Sequence, residues 1–115
     1  MGTPGEHLRI DVRSEQGRTV LALHGELDLL GAPLLEKKIE GAEIQASKIV
    51  VLDLQDLQFI DSAGMRVILA AHERARQRGQ EFAMTRGPEQ VQRLFTIAGV
   101  NDHLRIIVSP DELLV

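Results

Sequence analysis

The segment "KIVVLDL", Lys48 to Leu54, constrains the fold more than any other stretch of the chain. It is short, nearly all apolar and rich in β-branched residues, which fit a pleated surface. A strand covered on both faces has this composition, whereas a strand with one face in water alternates. It is followed at once by "LQFIDSAGMRVIL", which runs into a helical pattern. A covered strand feeding a helix predicts an α/β domain built on a largely parallel sheet.

The rest of the chain supplies matching parts. In "LRIDVR", Leu8, Ile10 and Val12 alternate with polar residues, as in a half-buried strand. "SEQG" (14–17) predicts a turn, and "RTVLALHG" (18–25) a second strand paired antiparallel with the first. "GELDLLGAP" (25–33) is a connection, and Pro33 suits the first turn of a helix. Leu35, Ile39, Ala42 and Ala46 predict one helix over 33–46. A second helix over 63–78 buries a stripe of Met65, Ile68, Leu69, His72 and Ala75 and stops at Gly79. "EFAMT" (81–85) is a strand, and 87–99 a helix with Val91, Leu94, Phe95 and Ala98 inward. "LRIIVS" (104–109) is the last strand, and "SPDE" (109–112) opens a final helix as a capping box. The expected architecture is a compact single α/β domain over 1–115. It has a mixed, mostly parallel sheet, an N-terminal antiparallel hairpin, about four helices, and a loose terminus at 1–6.

Composition narrows the function. The 115 residues are 43% hydrophobic and 26% charged, enough to build one packed core. Net charge is −4, with three Phe and neither Trp nor Tyr, which argues against direct nucleic-acid binding. There is no Cys, so disulfides, thiolate catalysis and Cys-zinc sites are excluded. With no signal-peptide core and no membrane-length apolar run, a cytoplasmic protein without membrane insertion is expected.

The junction "DSAG" (61–64) carries the chemistry. Ser62 is read as the N-cap of the 63–78 helix, a role that stabilises a helix by about 1 kcal/mol. It also has the features of a switch. Ala63 and Gly64 are small and leave the backbone open to a partner, while Asp61 adds a carboxylate. The junction follows a central strand, where open α/β sheets place functional groups. A helix N-terminus tolerates phosphate. Phosphate on Ser62 would add a charge of about −1.5 to −2 beside Asp61 without unfolding the helix. Asp28 in "GELD" either closes a local turn or lies at the same sheet end as Ser62. On the outward helix face, Arg66, Val67 and Ala70 are close enough to Ser62 to extend a contact surface, while Arg74 and Gln77 read as solvated.

Catalysis finds no support. A hydrolase elbow reads G-x-S-x-G, and Ile60 stands where its first Gly would be. His7, His24, His72 and His103 are scattered, without metal-ligand spacing or a role as base. No phosphate-binding loop of the G-x-x-x-x-G-K-[ST] type is present. No cofactor is expected.

Taken together, "LHGELD", "IVVLDLQDLQFIDSAGMRVIL" and "PEQVQRLFTIAGV" resemble the STAS domain, and in particular bacterial anti-sigma factor antagonists. The resemblance covers nearly the whole chain, and D-S-x-G is its most specific part. It implies that Ser62 is phosphorylated by an anti-sigma factor that is an ATP-dependent serine kinase. It further implies that the unphosphorylated protein binds this kinase and frees a sigma factor, and that a metal-dependent serine phosphatase resets the cycle. Asp28, Asp61, Ser62, Ala63, Gly64, Arg66, Val67 and Ala70 would then form the partner surface. Two positions depart from the pattern. Leu29 and Leu30 follow Asp28 where polar residues are expected, and are either buried or part of another partner surface. Ala63 leaves Ser62 as the only hydroxyl in the loop. Related domains also serve as non-catalytic subunits of lipid-transport ABC complexes or of signalling scaffolds, and these are the alternative functions.

Overall fold

The computed structural model describes residues 7–100 and 103–110. The alternating N-terminal segment forms β1 (Leu8–Glu15), and β2 (Arg18–Leu27) returns antiparallel to it in a register from Leu8↔Gly25 to Glu15↔Arg18. The turn is confined to Gln16 and Gly17, at φ 53° and 80°. Two central residues at positive φ match the twist of the flanking strands, so Ser14 and Glu15 stay in the strand.

The single helix expected over 33–46 is two helices, α1 (Ala32–Ile39) and α2 (Ala42–Gln45), separated by an extended Gly41. The reason is packing. In one continuous helix Ile39 and Ile44 would point about 140° apart. The break lets Leu35, Ile39 and Ile44 all face the core, while Ala42 and Ala46 stay exposed.

β3 (Ile49–Asp53) is the apolar run, and it lies parallel to β2. The chain then makes a strand absent from the sequence expectation, β4 (Leu57–Ile60), also parallel to β2 but farther along it. Only Leu57 and Ile60 are buried in β4, so it shows neither alternation nor a continuous apolar run. α3 (Ser62–Arg78) follows and ends at Gly79, at φ 74°. β5 (Glu81–Thr85) pairs parallel with β3, α4 (Glu89–Ala98) follows, and β6 (Arg105–Ile107) pairs parallel with β5. The sheet order is β1-β2-β3-β5-β6, with β4 attached to β2. The mixed, mostly parallel sheet with an antiparallel hairpin is as expected, and the described residues hold four helices, the first two of them in place of the single one expected over 33–46. The loose segment 1–6 and the helix expected after Pro110 lie outside the described residues.

The helices bury their apolar stripes in one core with Leu21, Leu23, Val50, Leu52, Phe82 and Met84 of the sheet. Ala71 joins that core from α3, and His72 is half-buried with its ring edge-on to Phe82 at 5.8 Å. In α4, Val91 and Phe95 are buried as expected, but Ala98 is exposed and Gln92 is inside. A smaller cluster of Val20, Ile49, Val51, Ala83 and Ile107 forms separately, which is why β3 reads as covered on both faces.

Buried Thr85 ties the strand ends beneath the site. Its hydroxyl accepts from the Leu54 N–H at 2.8 Å and donates to Asp53 Oδ1 at 3.0 Å. Thr85→Val keeps the shape and leaves a buried N–H without an acceptor. We expect a loss of about 1–3 kcal/mol, read as a lower urea midpoint with an unchanged m-value.

Candidate phosphorylation and partner surface

β2 and β4 run parallel, so the segments leaving them emerge at the same end of the sheet. Two hydrogen bonds fasten them together. The Asp61 N–H donates to the Leu27 carbonyl at 3.2 Å, and Asp61 Oδ2 accepts from the Leu29 N–H at 3.0 Å. The other carboxylate oxygen, Oδ1, accepts from the Gly64 N–H at 3.0 Å. Asp61 is therefore the N-cap of α3, and Ser62 is its first helical residue. This corrects the reading of Ser62 as the cap. A carboxylate has two acceptor oxygens and can hold the helix start and the neighbouring loop at once, which one hydroxyl cannot. The Ser62 side chain is thereby released from the capping role, and the residue is exposed.

Asp28 performs the local task considered for it and also lies at the same sheet end as Ser62. Its Oδ1 accepts from the N–H groups of Leu30 and Gly31 at 3.1 and 2.9 Å, and its carbonyl accepts from the Ala32 N–H at 2.8 Å. Loop 28–31 is thus held by two aspartates, one from each connection. With the backbone tied inward, Leu29 and Leu30 are pushed out, 70% and 55% exposed. That settles the alternative left open for them: they are surface residues.

Gly64 does not lie on an open surface. It is buried, and a Cβ there would come within 2.5 Å of the Leu27 carbonyl oxygen and 2.7 Å of Leu27 Cγ. Its smallness serves the contact of α3 with the end of β2, not access for a partner. Ala63, Val67 and Ala70 are half-buried and Arg66 is exposed. These four line a shallow depression of about 330 Å³ between α3 and α1, together with Leu29 and Pro33. Sequence reasoning missed Pro33 and Glu36, which α1 brings to the rim, and Phe59, 48% exposed on β4. Phe59 carried one usable signal, a large apolar residue two positions before the D-S-x-G element. Farther along α3, Arg76 hydrogen-bonds Glu73 and holds that carboxyl below its ordinary range.

The histidines are apart from this site. His24 contacts Asp11 and Asp56 at 3.1 and 3.5 Å, and His7 and His103 are exposed. Among the described residues no group of three His, Asp or Glu could hold a metal, and no helix is long and apolar enough to cross a membrane.

An anchored pair of acidic loops, an exposed serine on the first turn of a helix and an adjoining apolar depression lie together at one end of the sheet. The chain belongs to the STAS domain family, whose pattern it matches over residues 9–113. It is 30% identical over 95 residues to an anti-sigma F factor antagonist of Paenibacillus polymyxa, covering 82% of this chain and 81% of that protein. The fold matches an anti-sigma factor antagonist from Mycobacterium paratuberculosis with TM-score 0.83 at 21% identity, covering 97% of this chain and 94% of the other. It also matches the phosphorylated form of the Bacillus cell fate determinant SpoIIAA with TM-score 0.69 at 18% identity, over 88% of this chain and 93% of that one.

Proposed function

We propose that this protein is a cytoplasmic anti-sigma factor antagonist. In its unphosphorylated form it binds an anti-sigma factor that is a serine kinase, and the kinase releases it by phosphorylating Ser62. A metal-dependent serine phosphatase returns it to the binding form. The observation that carries the reading is the division of labour at 61–62. Asp61 holds the helix, so the exposed Ser62 hydroxyl can be modified without dismantling the α3 start. The name of the Paenibacillus polymyxa relative supports the same reading.

The docking surface comprises Asp28, Asp61, Ser62, Ala63, Arg66, Val67 and Ala70, extended by exposed Leu29 and Leu30. Gly64 contributes by letting α3 approach β2. Phosphate on Ser62 would add a charge of about −1.5 to −2 to a surface that already has Asp61 beside it. The helix dipole and first-turn N–H groups tolerate that charge, so the fold survives. A partner interface that loses a hydroxyl contact and must desolvate a dianion does not.

The test is a pull-down from lysate of the source organism with wild type, Ser62→Ala and Ser62→Asp as baits, followed by phosphosite mapping of the wild type. Wild type and Ser62→Ala are expected to retain a serine kinase of the anti-sigma type, and Ser62→Asp to lose it. Phosphate should map to Ser62. Phosphate at another residue, or one transporter ATPase captured equally by all three baits, would overturn the proposal.

A further inference from the structure

Three of the arginines on α3 have partners. Arg74 meets Glu40 of α1 at 3.6 Å, and Arg76 and Arg78 hydrogen-bond Glu73 and Gln80. Arg66 differs from them. It is exposed, and among the described residues it makes no hydrogen bond or ion pair. Glu36 also lines the depression beside α3, yet no ion pair joins the two.

The place of Arg66 on the helix is unfavourable for a cation. The start of a helix is the positive end of its dipole, where anions are stabilised. α3 has no acidic residue in its first turn. Asp61 stands just before it, but its two oxygens are committed to the N–H groups of Gly64 and Leu29. Arg66 belongs to the second turn, and a long helical side chain leans toward the N-terminus and covers the turn before its own Cα. That turn begins with Ser62.

Ser62 and Arg66 are four residues apart. On a helix surface this spacing brings Cβ atoms to about 5–6 Å, and it suits an acidic group placed N-terminal to a basic one. A serine hydroxyl is neutral and gives Arg66 no charge to pair with. A phosphate has three strong acceptor oxygens and a charge of about −1.5 to −2. The planar guanidinium bonds such a group through two parallel N–H donors.

We propose that Arg66 is the intramolecular receiver of a phosphate on Ser62, closing on it as a bidentate pair across the first two turns of α3. This rests on Ser62 being the phosphorylated residue, as proposed above, and adds how the phosphate acts. Among the described residues that line the depression, Arg66 is the only cation and Glu36 the only anion. Drawing Arg66 onto the phosphate takes from the surface its one group able to pair with a carboxylate of the partner. Modification thus changes the surface twice, by adding an anion and by occupying a cation. The pair also holds the new charge on α3 itself, leaving Asp61 to anchor the neighbouring loop.

The test needs no kinase. Phosphoserine is installed at position 62 during translation, by reassigning a stop codon, in the wild type and in Arg66→Gln, Arg66→Lys and Arg74→Gln. Phosphorus NMR follows the second ionisation of the phosphate. An adjacent guanidinium favours the dianion. Arg66→Gln is therefore expected to raise the midpoint by about 0.3 of a pH unit or more. Arg66→Lys keeps the charge and loses the fork, and should fall between wild type and Arg66→Gln. Arg74→Gln removes a charge about 12 Å farther along the helix and should leave the midpoint in place. The gap between wild type and Arg66→Gln should narrow as salt is raised. Equal midpoints in wild type and Arg66→Gln would overturn the proposal, since no pair then forms. An equal shift from Arg74→Gln would also overturn it, since a general field then suffices. Phosphate mapped to another residue in the pull-down overturns the earlier reading and this one together, whereas equal midpoints overturn this one alone.

Discussion

Asp61→Ala is expected to destabilise the protein by about 2–3 kcal/mol, although Asp61 is only half-buried. The substitution removes two hydrogen bonds made by one charged group. Loss of the bond to the Gly64 N–H uncaps α3, and loss of the bond to the Leu29 N–H frees the loop that follows β2. The second effect distinguishes this residue from an ordinary cap, whose removal costs about 1 kcal/mol. Urea unfolding measures the total, and amide exchange at Leu29 reports the loop. Asp61→Asn is expected to fall between the two proteins. Its amide can keep one acceptor oxygen, but the nitrogen is a donor and cannot serve the second N–H. A loss below about 0.5 kcal/mol for Asp61→Ala, within the range of inert surface changes, would refute the double-anchor reading.

Gly64→Ala is expected to cost about 3 kcal/mol. Helix propensity alone predicts the opposite sign, since Ala in a helix is favoured over Gly by about 0.8–1 kcal/mol. Packing decides the matter. The added methyl would meet the Leu27 backbone carbonyl at 2.5 Å, and Ile60 Cγ1 lies 3.1 Å away on another side. Backbone cannot swing aside as the end of a flexible side chain can, so α3 must lift from β2. The lift carries Asp61 away from Leu29 and Ser62 away from its present position. The variant should therefore bind the partner proposed above more weakly than its residual folded fraction explains, as measured by calorimetry on protein shown to be folded by circular dichroism. A stabilised Gly64→Ala would mean that the close approach of α3 and β2 relaxes at no cost, contrary to the packing.

The two variants separate roles that a motif merges. In "DSAG" the four residues look like one functional unit. Asp61 is an anchor, Ser62 the exposed group, Ala63 part of the rim of a depression, and Gly64 a packing contact. If Ser62 is the phosphorylated residue, this separation explains how a large change of charge can be confined to the surface.

Much of this protein was decided locally and was legible in the chain. β-branched runs, alternation in "LRIDVR", the glycine stop at Gly79 and the Pro-led starts reflect short-range sterics and hydrogen bonding. They placed five of the strands and the core faces of α3 and most of α4, and they marked Ser62 and Asp28 as companions. Three other matters depended on residues distant in sequence. β4 exists because β2 extends past β3 and offers Gly25 to Leu27 as a template; its own pattern, buried at Leu57 and Ile60 only, specifies nothing. The break at Gly41 exists because Ile39 and Ile44 share one core. The choice of Asp61 over Ser62 as cap follows from the Leu29 N–H, which needs an acceptor and comes from the other side of the site. Local interactions are written within a few residues of one another, but a satisfied N–H or a filled space belongs to whichever segments the fold brings together.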